Sequence, residues 1–322
     1  MSKKRVFVSR KILESGINLL KRHFEVRVYP KDRVISRKEL INGVKWCDGL
    51  LCLLTDKIDK EILDANPNLK VVANYAVGFN NIDIKYAKEK GIIVTNTPGV
   101  LTDAVIEHTF GLMLAISKRI VESDTFTRKG KYHGWEPLLL LGTQLKGKTL
   151  GIIGLGRIGS GVAEIAHKGM GMDVLYHDIN RDKGFEKKNK AKFLPINSLL
   201  KQSDFITLHV PLLPSTKHLI GAKQLSMMKK TAYLVNTSRG QVIDEEALVK
   251  VLQKGGIRGA ALDVFENEPK LARGLAKLKN VVLTPHIASA TIEARSAMSV
   301  LAAKNIVNVL KGKKPLTPVK GR

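Results

Sequence analysis

Between Thr149 and Lys168 the chain reads "TLGIIGLGRIGSGVAEIAHK", and Gly154, Gly156 and Gly159 fall within it in the spacing GxGxxG. Three glycines can mark any tight turn. Here an apolar, strand-like run, Thr149 to Ile153, leads in and a helix-compatible stretch, Arg157 to Lys168, leads out, as a phosphate-cradling turn requires. Gly154 permits the turn, Gly156 removes the side chain where a pyrophosphate must approach the backbone, and Gly159 lets helix pack closely on strand. The helix N-terminus adds N–H groups and a positive dipole for the phosphates. The second requirement is an acid about 20 residues on, at the end of the next strand. Asp178, in "DVLYHDINR", stands 178 − 159 = 19 positions past the last glycine. Its carboxylate can accept from both adenosine-ribose hydroxyls and would repel a 2′-phosphate, so NAD is expected ahead of NADP. Arg181 and Lys183, close by, are the residues that could accommodate a phosphate instead.

Three further side chains sit just past apolar runs: Arg239 after "TAYLVNTS", Glu268 after "AALDVFEN" and His286 after "NVVLTP". Singly each has a plain use, as a surface arginine, a solvated glutamate and a hydrogen-bonded histidine at a strand end. Together they stand beyond the carboxyl ends of strands in a dinucleotide-binding unit, where open α/β sheets keep their chemistry.

The elements that must position them alternate. In the first hundred residues "RVFVS", "EVRVY", "GLLCLL", "KVVANY" and "GIIVTN" read as strands, separated by helix-length segments such as Arg10 to Lys21 and Ile58 to Ala65. A long helix is predicted from Leu101 to Ile120, capped by Thr102 or Asp103 and apolar enough to be buried between domains or subunits. A second series runs through "KTLGIIG", "DVLYHD", "DFITLHV", "TAYLVNT", "IRGAALDVF" and "NVVLTPH", and a final helix is predicted from Ser289 to Lys311. Such alternation predicts an α/β protein of two doubly wound parallel sheets, covered on both faces.

With 322 residues, 44% of them apolar and 26% charged, the chain has the balance of a globular protein of about two domains. No apolar run approaches the roughly 20 residues of a membrane span, and the start "MSKKRVFVSRK" lacks a secretory core, so a cytoplasmic protein without a membrane partner is expected. Cys47 and Cys52 lack zinc-ligand spacing and read as free buried thiols, and no His, Cys and carboxylate set predicts a metal. The formal charge of +25 attracts anions, yet no helix-turn-helix, zinc-finger or RNA-binding signature accompanies it. A basic solvated surface, with steering of small anions as a second use, is the reading; nucleic acid is not an expected partner.

The segments "HVPLLPSTKHLIG", "TAYLVNTSRGQVIDEEAL", "GGIRGAALDVFENEP" and "LTPHIASAT", with the glycine loop, resemble the D-isomer-specific 2-hydroxyacid dehydrogenase family through nearly the whole chain. In the N-terminal part "NYAVGFNNIDI", "GIIVTNTPGVLTDAV" and "GWEPLLLLG" are similar to its glyoxylate and hydroxypyruvate reductase branch. The resemblance implies a flavodoxin-like substrate domain built from residues 1–97 and 287–322 around an inserted Rossmann-type cofactor domain, 98–286, with a cleft that closes on a small anionic 2-oxo or 2-hydroxy acid. It implies that Arg239 holds the 2-oxo acid, that Glu268 pairs with His286, and that His286 is the acid and base. The backbone of Val77 and Gly78 is implied to receive the carboxylate, with Leu53 lining the pocket. Cofactor contacts are implied for Leu155, Arg157, Ile158, Val210, Pro211, Thr216, Thr237, Ser238 and Ala288, and for Asp263, which would bond the nicotinamide carboxamide or else cap a turn. Trp135, in "GWEP", is similar to a tryptophan inserted into the neighbouring subunit's active site, which implies a homodimer.

The residue chemistry agrees with that implication. A guanidinium fork suits a planar carboxylate and its adjacent carbonyl, which a lysine would match poorly. As hydride leaves a nicotinamide for the carbonyl carbon, charge grows on the oxygen, and a histidine kept protonated by a carboxylate can meet it with a proton. His177 and His209 match stretches beside the cofactor and show no acidic partner in the pattern, while His108 reads as a packed residue of the long helix. Fold alone does not settle function, because corepressor scaffolds that sense NADH share this family's look. The whole Arg, Glu and His set and the lack of an extended interaction tail favour the enzyme. A formate dehydrogenase is disfavoured by Glu268, where that relative has glutamine. D-3-phosphoglycerate dehydrogenase and D-lactate dehydrogenase stay as alternatives.

Overall fold

In the computed structural model, which describes residues 3–319, the chain divides into two compact units. One runs up to Leu101 and resumes at Ala290; the other is Thr102–Ser289. The divisions fall a few residues after the expected 97 and 286, and the end of the basic tail, 320–322, lies outside the described residues.

The first unit alternates β1 (Arg5–Val8), α1 (Glu14–Lys21), β2 (Glu25–Val28), α2 (Arg37–Trp46), β3 (Gly49–Cys52), α3 (Lys60–Asp64), β4 (Val71–Asn74), α4 (Ile84–Glu89) and β5 (Ile93–Thr95). Its five strands are parallel in the order β2-β1-β3-β4-β5, the flavodoxin-like order. Central strands buried on both faces read as unbroken apolar runs, "GLLC" and "VVAN", whereas the edge strand "EVRV" alternates between exposed and half-buried positions. Cys47 and Cys52 lie in this core as free thiols, and burial pushes Cys47 up to about 12 and Cys52 well above the ordinary thiol value, so both are inert.

The second unit contains α5 (Thr102–Ser117), α6 (Ile120–Arg128), β6 (Thr149–Ile153), α7 (Arg157–Lys168), β7 (Asp173–His177), α8 (Lys183–Asn189), β8 (Lys192–Phe193), α9 (Ile196–Gln202), β9 (Phe205–Leu208), α10 (Ala222–Ser226), β10 (Tyr233–Asn236), α11 (Glu245–Gln253), β11 (Gly259–Leu262) and β12 (Val281–Leu283). Its seven parallel strands run β12-β11-β10-β9-β6-β7-β8, the Rossmann order extended by one strand. The order reverses between β6 and β9, so a crevice opens at the carboxyl end of β6, where the glycine loop begins.

The helix expected from Leu101 to Ile120 is α5, which stops slightly short of that bound: it ends at Ser117, and α6 begins at Ile120. Arg119 takes a left-handed conformation, φ 56°, which ends α5 and starts α6. Nor is α5 reserved for a neighbour: Ile106, Phe110, Met113 and Ile116 enter the core of their own unit with Leu150, Ile152 and Val235. After Ala290 the chain rejoins the first unit through α12 (Ile292–Leu310), which packs on α1. There the Gly16 amide donates to Ser299 Oγ at 2.9 Å, and a Cβ on Gly16 would fall 2.2 Å from that oxygen, so only glycine admits the approach.

Candidate active site

The glycine loop follows β6 directly. Gly154 has φ 98°, and a side chain there would also meet the His209 carbonyl oxygen at 2.7 Å. A Cβ on Gly159 would fall 2.0 Å from the Gly154 carbonyl oxygen, so this glycine allows α7 to seat against the loop. Gly156 differs, because a Cβ there would meet nothing within 4 Å. Its missing side chain leaves open space rather than relieving a protein contact. Gly156 is also the N-cap of α7, and no side chain caps that helix, so its first turn, with Arg157 and Ile158, presents a positive end beside the opening.

Asp178 stands immediately after β7. Its Oδ2 accepts from the Leu155 amide at 2.6 Å and its Oδ1 from the Asn180 amide at 3.3 Å. The amide of Leu155, a residue implied to contact the cofactor, is thus used to hold the acid against the loop. Leu155, Gly156, Asp178, Asn180, Arg181, Asp182 and Lys183 line an open cleft of about 680 Å³. A dinucleotide fits these residues, since the cleft joins a helix N-terminus and a side-chain-free backbone to a carboxylate at ribose distance along the motif.

The three candidate catalytic residues come from three strand exits. Arg239 follows β10, half-buried, with Nη1 donating to the Ser238 carbonyl at 2.7 Å. Burial pulls its pKa below the ordinary arginine value and the Glu268 charge partly offsets this; the guanidinium stays protonated. Glu268 follows β11: Oε1 accepts from the Phe265 amide at 3.0 Å and Oε2 faces His286 Nδ1 at 2.9 Å. Burial works to raise the Glu268 pKa, but His286, the Phe265 amide and Arg239 outweigh it and hold the carboxyl below its ordinary value.

His286 follows β12 in a left-handed conformation, φ 55°, a strained setting for a side-chain-bearing residue. Its amide donates to the Asp263 carbonyl at 2.8 Å. Asp263 is fully buried, and its carboxylate accepts from Thr284 Oγ1 at 2.6 Å and from the Ile287 and Ala288 amides at 2.8 Å each. Burial alone would raise its pKa; these donors and His108 bring it below the ordinary value. Asp263 therefore shapes the loop that presents His286. His108 Nε2 joins it from α5, 3.1 Å from Thr284 Oγ1 and 3.4 Å from Asp263 Oδ1.

The remaining candidates are more dispersed. Thr216 Oγ1 donates to the Pro211 carbonyl at 2.6 Å and accepts from the Leu213 amide at 2.8 Å, which closes the turn after Val210. Thr237 Oγ1 lies 3.1 Å from Thr109 Oγ1, and the Ser238 amide donates to Asn236 Oδ1 at 3.0 Å. Trp135 is 82% exposed. Leu53, Val77 and Gly78 belong to the other unit, past the carboxyl ends of β3 and β4. There the Leu53 amide donates to Asp56 Oδ2 at 2.8 Å, and the Val77 and Gly78 carbonyls accept from Asn96 and Asn74 at 2.8 Å each.

The model of the "D-isomer specific 2-hydroxyacid dehydrogenase, NAD binding domain" matches residues 110–288. A glyoxylate reductase of Thermococcus litoralis is 50% identical over 317 residues, 97% of this chain and 96% of that protein. The chain belongs to the D-isomer-specific 2-hydroxyacid dehydrogenase family, in its glyoxylate reductase branch. A glyoxylate reductase of Thermofilum pendens is 52% identical over 98% of this chain and 94% of its own length. Among solved structures, a Thermus thermophilus protein matches with a TM-score of 0.92 at 41% identity, covering 98% of this chain and all of that one. An NADPH-dependent glyoxylate/hydroxypyruvate reductase from Sinorhizobium meliloti matches at 0.87 and 33% identity, covering 99% and 97%. As a member of this family the protein is an oxidoreductase, an NAD(P)-dependent dehydrogenase.

Sequence reasoning passed over two residues that hold Asp263 beside the candidate site. His108 was read as a packing residue, and Thr284 was not singled out. Their meeting joins residues 176 positions apart, and no spacing rule carries such a signal.

Proposed function

We propose that this family member reduces a small 2-oxo acid, glyoxylate or hydroxypyruvate, to the corresponding 2-hydroxy acid with NADH, the product having D configuration where the carbon is chiral. The observation that carries the reading is the His286–Glu268 pair at 2.9 Å, with the Arg239 charge close enough to act on Glu268. The names of the relatives support the substrate class.

Gly154, Gly156 and Gly159, the first turn of α7 and Asp178 would hold the dinucleotide. When bound, the reduced nicotinamide supplies hydride to the substrate carbonyl carbon. Arg239 binds and orients the 2-oxo acid through two parallel hydrogen bonds, which a planar guanidinium gives and an ammonium does not. His286 turns Nδ1 to Glu268, which leaves Nε2 to give a proton to the carbonyl oxygen as charge develops there. Glu268 fixes the ring's orientation and balances the charge of its doubly protonated form. In the oxidative direction His286 takes the proton back.

The protein works as a cytoplasmic homodimer in this reading, with Trp135 contributed to the neighbouring subunit. The exposure of Trp135, Leu138, Leu141 and Tyr132 in one short stretch supports such a contact. No helix among the described residues is long and apolar enough to cross a membrane.

The test is oxidation of NADH or NADPH by purified protein with glyoxylate, hydroxypyruvate, pyruvate and phosphohydroxypyruvate. Rapid NADH oxidation with either of the first two is expected. Tight NADH binding without turnover on any of them would overturn the reading in favour of a nucleotide-sensing scaffold.

A further inference from the structure

The cleft beside Asp178 holds a residue whose chemistry opposes the NADH preference. Arg181 lines it, and an arginine at the adenosine end of a dinucleotide site is the group that accommodates a 2′-phosphate. Its guanidinium is already engaged: Nε meets Glu186 Oε1 at 2.7 Å and Nη2 meets Oε2 at 2.8 Å, a bidentate pair. Glu186, on the first turn of α8, is itself anchored, because Tyr176 Oη donates to its Oε1 at 2.9 Å. Tyr176 is fully buried, edge-on to Phe185 and Phe193, and its oxygen also accepts from the Asp182 amide at 2.9 Å. The carboxylate thus projects from a rigid aromatic cluster, with its side chain 15% exposed, and Arg181 bends back onto it. The other acids of the cleft have separate duties, Asp178 at the Leu155 amide and Asp182 as the cap of α8 through the Phe185 amide at 2.8 Å.

We propose that Glu186 is a positioning residue for cofactor selectivity: it holds Arg181 in an ion pair and so withholds from a 2′-phosphate the arginine best placed to bind it. This inference rests on the NADH reading and adds a second layer to it. Asp178 disfavours the phosphate directly, and Glu186 removes the cation that would compensate.

Glu186→Gln keeps the shape and the tyrosine hydrogen bond but gives up the charge that retains Arg181. Affinities for NADH and NADPH, measured by titration calorimetry, report the effect without turnover. The ratio of NADPH to NADH affinity is expected to rise about tenfold, the worth of one charge-assisted contact. Arg181→Ala added to Glu186→Gln should return the ratio to within about twofold of the starting protein, which a general loosening of α8 would not do. A folded Glu186→Gln protein with an unchanged ratio, or a double variant that keeps the rise, overturns the proposal. Should Glu186→Gln not fold, Arg181→Ala alone decides: unchanged NADPH affinity supports a withheld arginine, and a tenfold loss shows that Arg181 already serves the phosphate. The unsubstituted protein separates the two failures. If it binds NADPH as tightly as NADH, the NADH reading falls and this inference with it; if it prefers NADH while Glu186→Gln changes nothing, only this inference falls.

Discussion

His286 Nδ1 stands 2.9 Å from Glu268 Oε2, and the other oxygen of that carboxylate is held by the Phe265 amide at 3.0 Å. The imidazole is thereby fixed through Nδ1, which in the proposed mechanism leaves Nε2 as the proton donor. His286→Ala is expected to lower kcat by ~100-fold to ~10,000-fold, the usual worth of a positioned proton donor, with NADH affinity retained. Steady-state kinetics beside calorimetric NADH binding measures both, and full turnover in the variant would refute the assignment. Glu268→Gln keeps the shape and loses the charge, so it should fall between the two.

The glycine loop gives a pair of substitutions with opposite signatures. Gly159→Ala would drive a Cβ to 2.0 Å from backbone oxygen, so it should cost about 2 kcal/mol or more of stability. Gly156→Ala meets open space, and its φ of −70° suits alanine, so its stability should fall by no more than about 1 kcal/mol, the cost of alanine at an N-cap. Gly156→Ala should nevertheless weaken NADH binding at least about tenfold, because its methyl would occupy the space a pyrophosphate needs. Urea melts and calorimetry separate the two; equal stability losses would show that Gly156 is only structural.

Asp263 accepts from a hydroxyl and two amides while fully buried, so Asp263→Asn must turn an NH2 group toward at least one donor. An unsatisfied buried donor costs about 1–3 kcal/mol, and here the cost falls on the loop that keeps His286 at φ 55°. The expected result is a lower melting temperature, a lower kcat and faster hydrogen exchange at the Ile287 and Ala288 amides. Exchange unchanged at those amides would count against Asp263 as the loop's anchor.

The strands that carry this chemistry were legible because a central parallel strand buries both faces. "FITL", "YLVN" and "GAAL" are unbroken apolar runs, and the residues just beyond them fall at the sheet's carboxyl edge. The glycine spacing likewise announces its acid, because strand and helix lengths fix the distance from Gly159 to Asp178. What escaped has no period. The helix α6 buries none of its residues and so carries no apolar stripe, and β8 is two residues at an edge. The partners of Asp263, with His108 arriving from α5, are set by tertiary packing, so the same acid could equally be read as a turn cap.

His209 leads to a prediction about acid stability. Its Nε2 is shielded from solvent and has no hydrogen-bond partner among the described residues. Burial pushes its pKa down from 6.5 to about 4, which keeps the folded ring neutral. The unfolded chain therefore binds this proton first as pH falls, and linkage makes stability decline from about pH 6.5 to about pH 4. The loss has an upper bound of about 3.5 kcal/mol, at about 1.4 kcal/mol per pKa unit. The carboxylates with depressed values, Glu268 and Asp263, act in a lower window: their contribution is present above the unfolded carboxylate range and disappears as pH falls through their folded values. The two windows can be separated by substitution. Between pH 7 and pH 4.5, His209→Asn should lose markedly less stability in urea titrations than the natural sequence; parallel losses in both proteins would show that the ring does not titrate in this way.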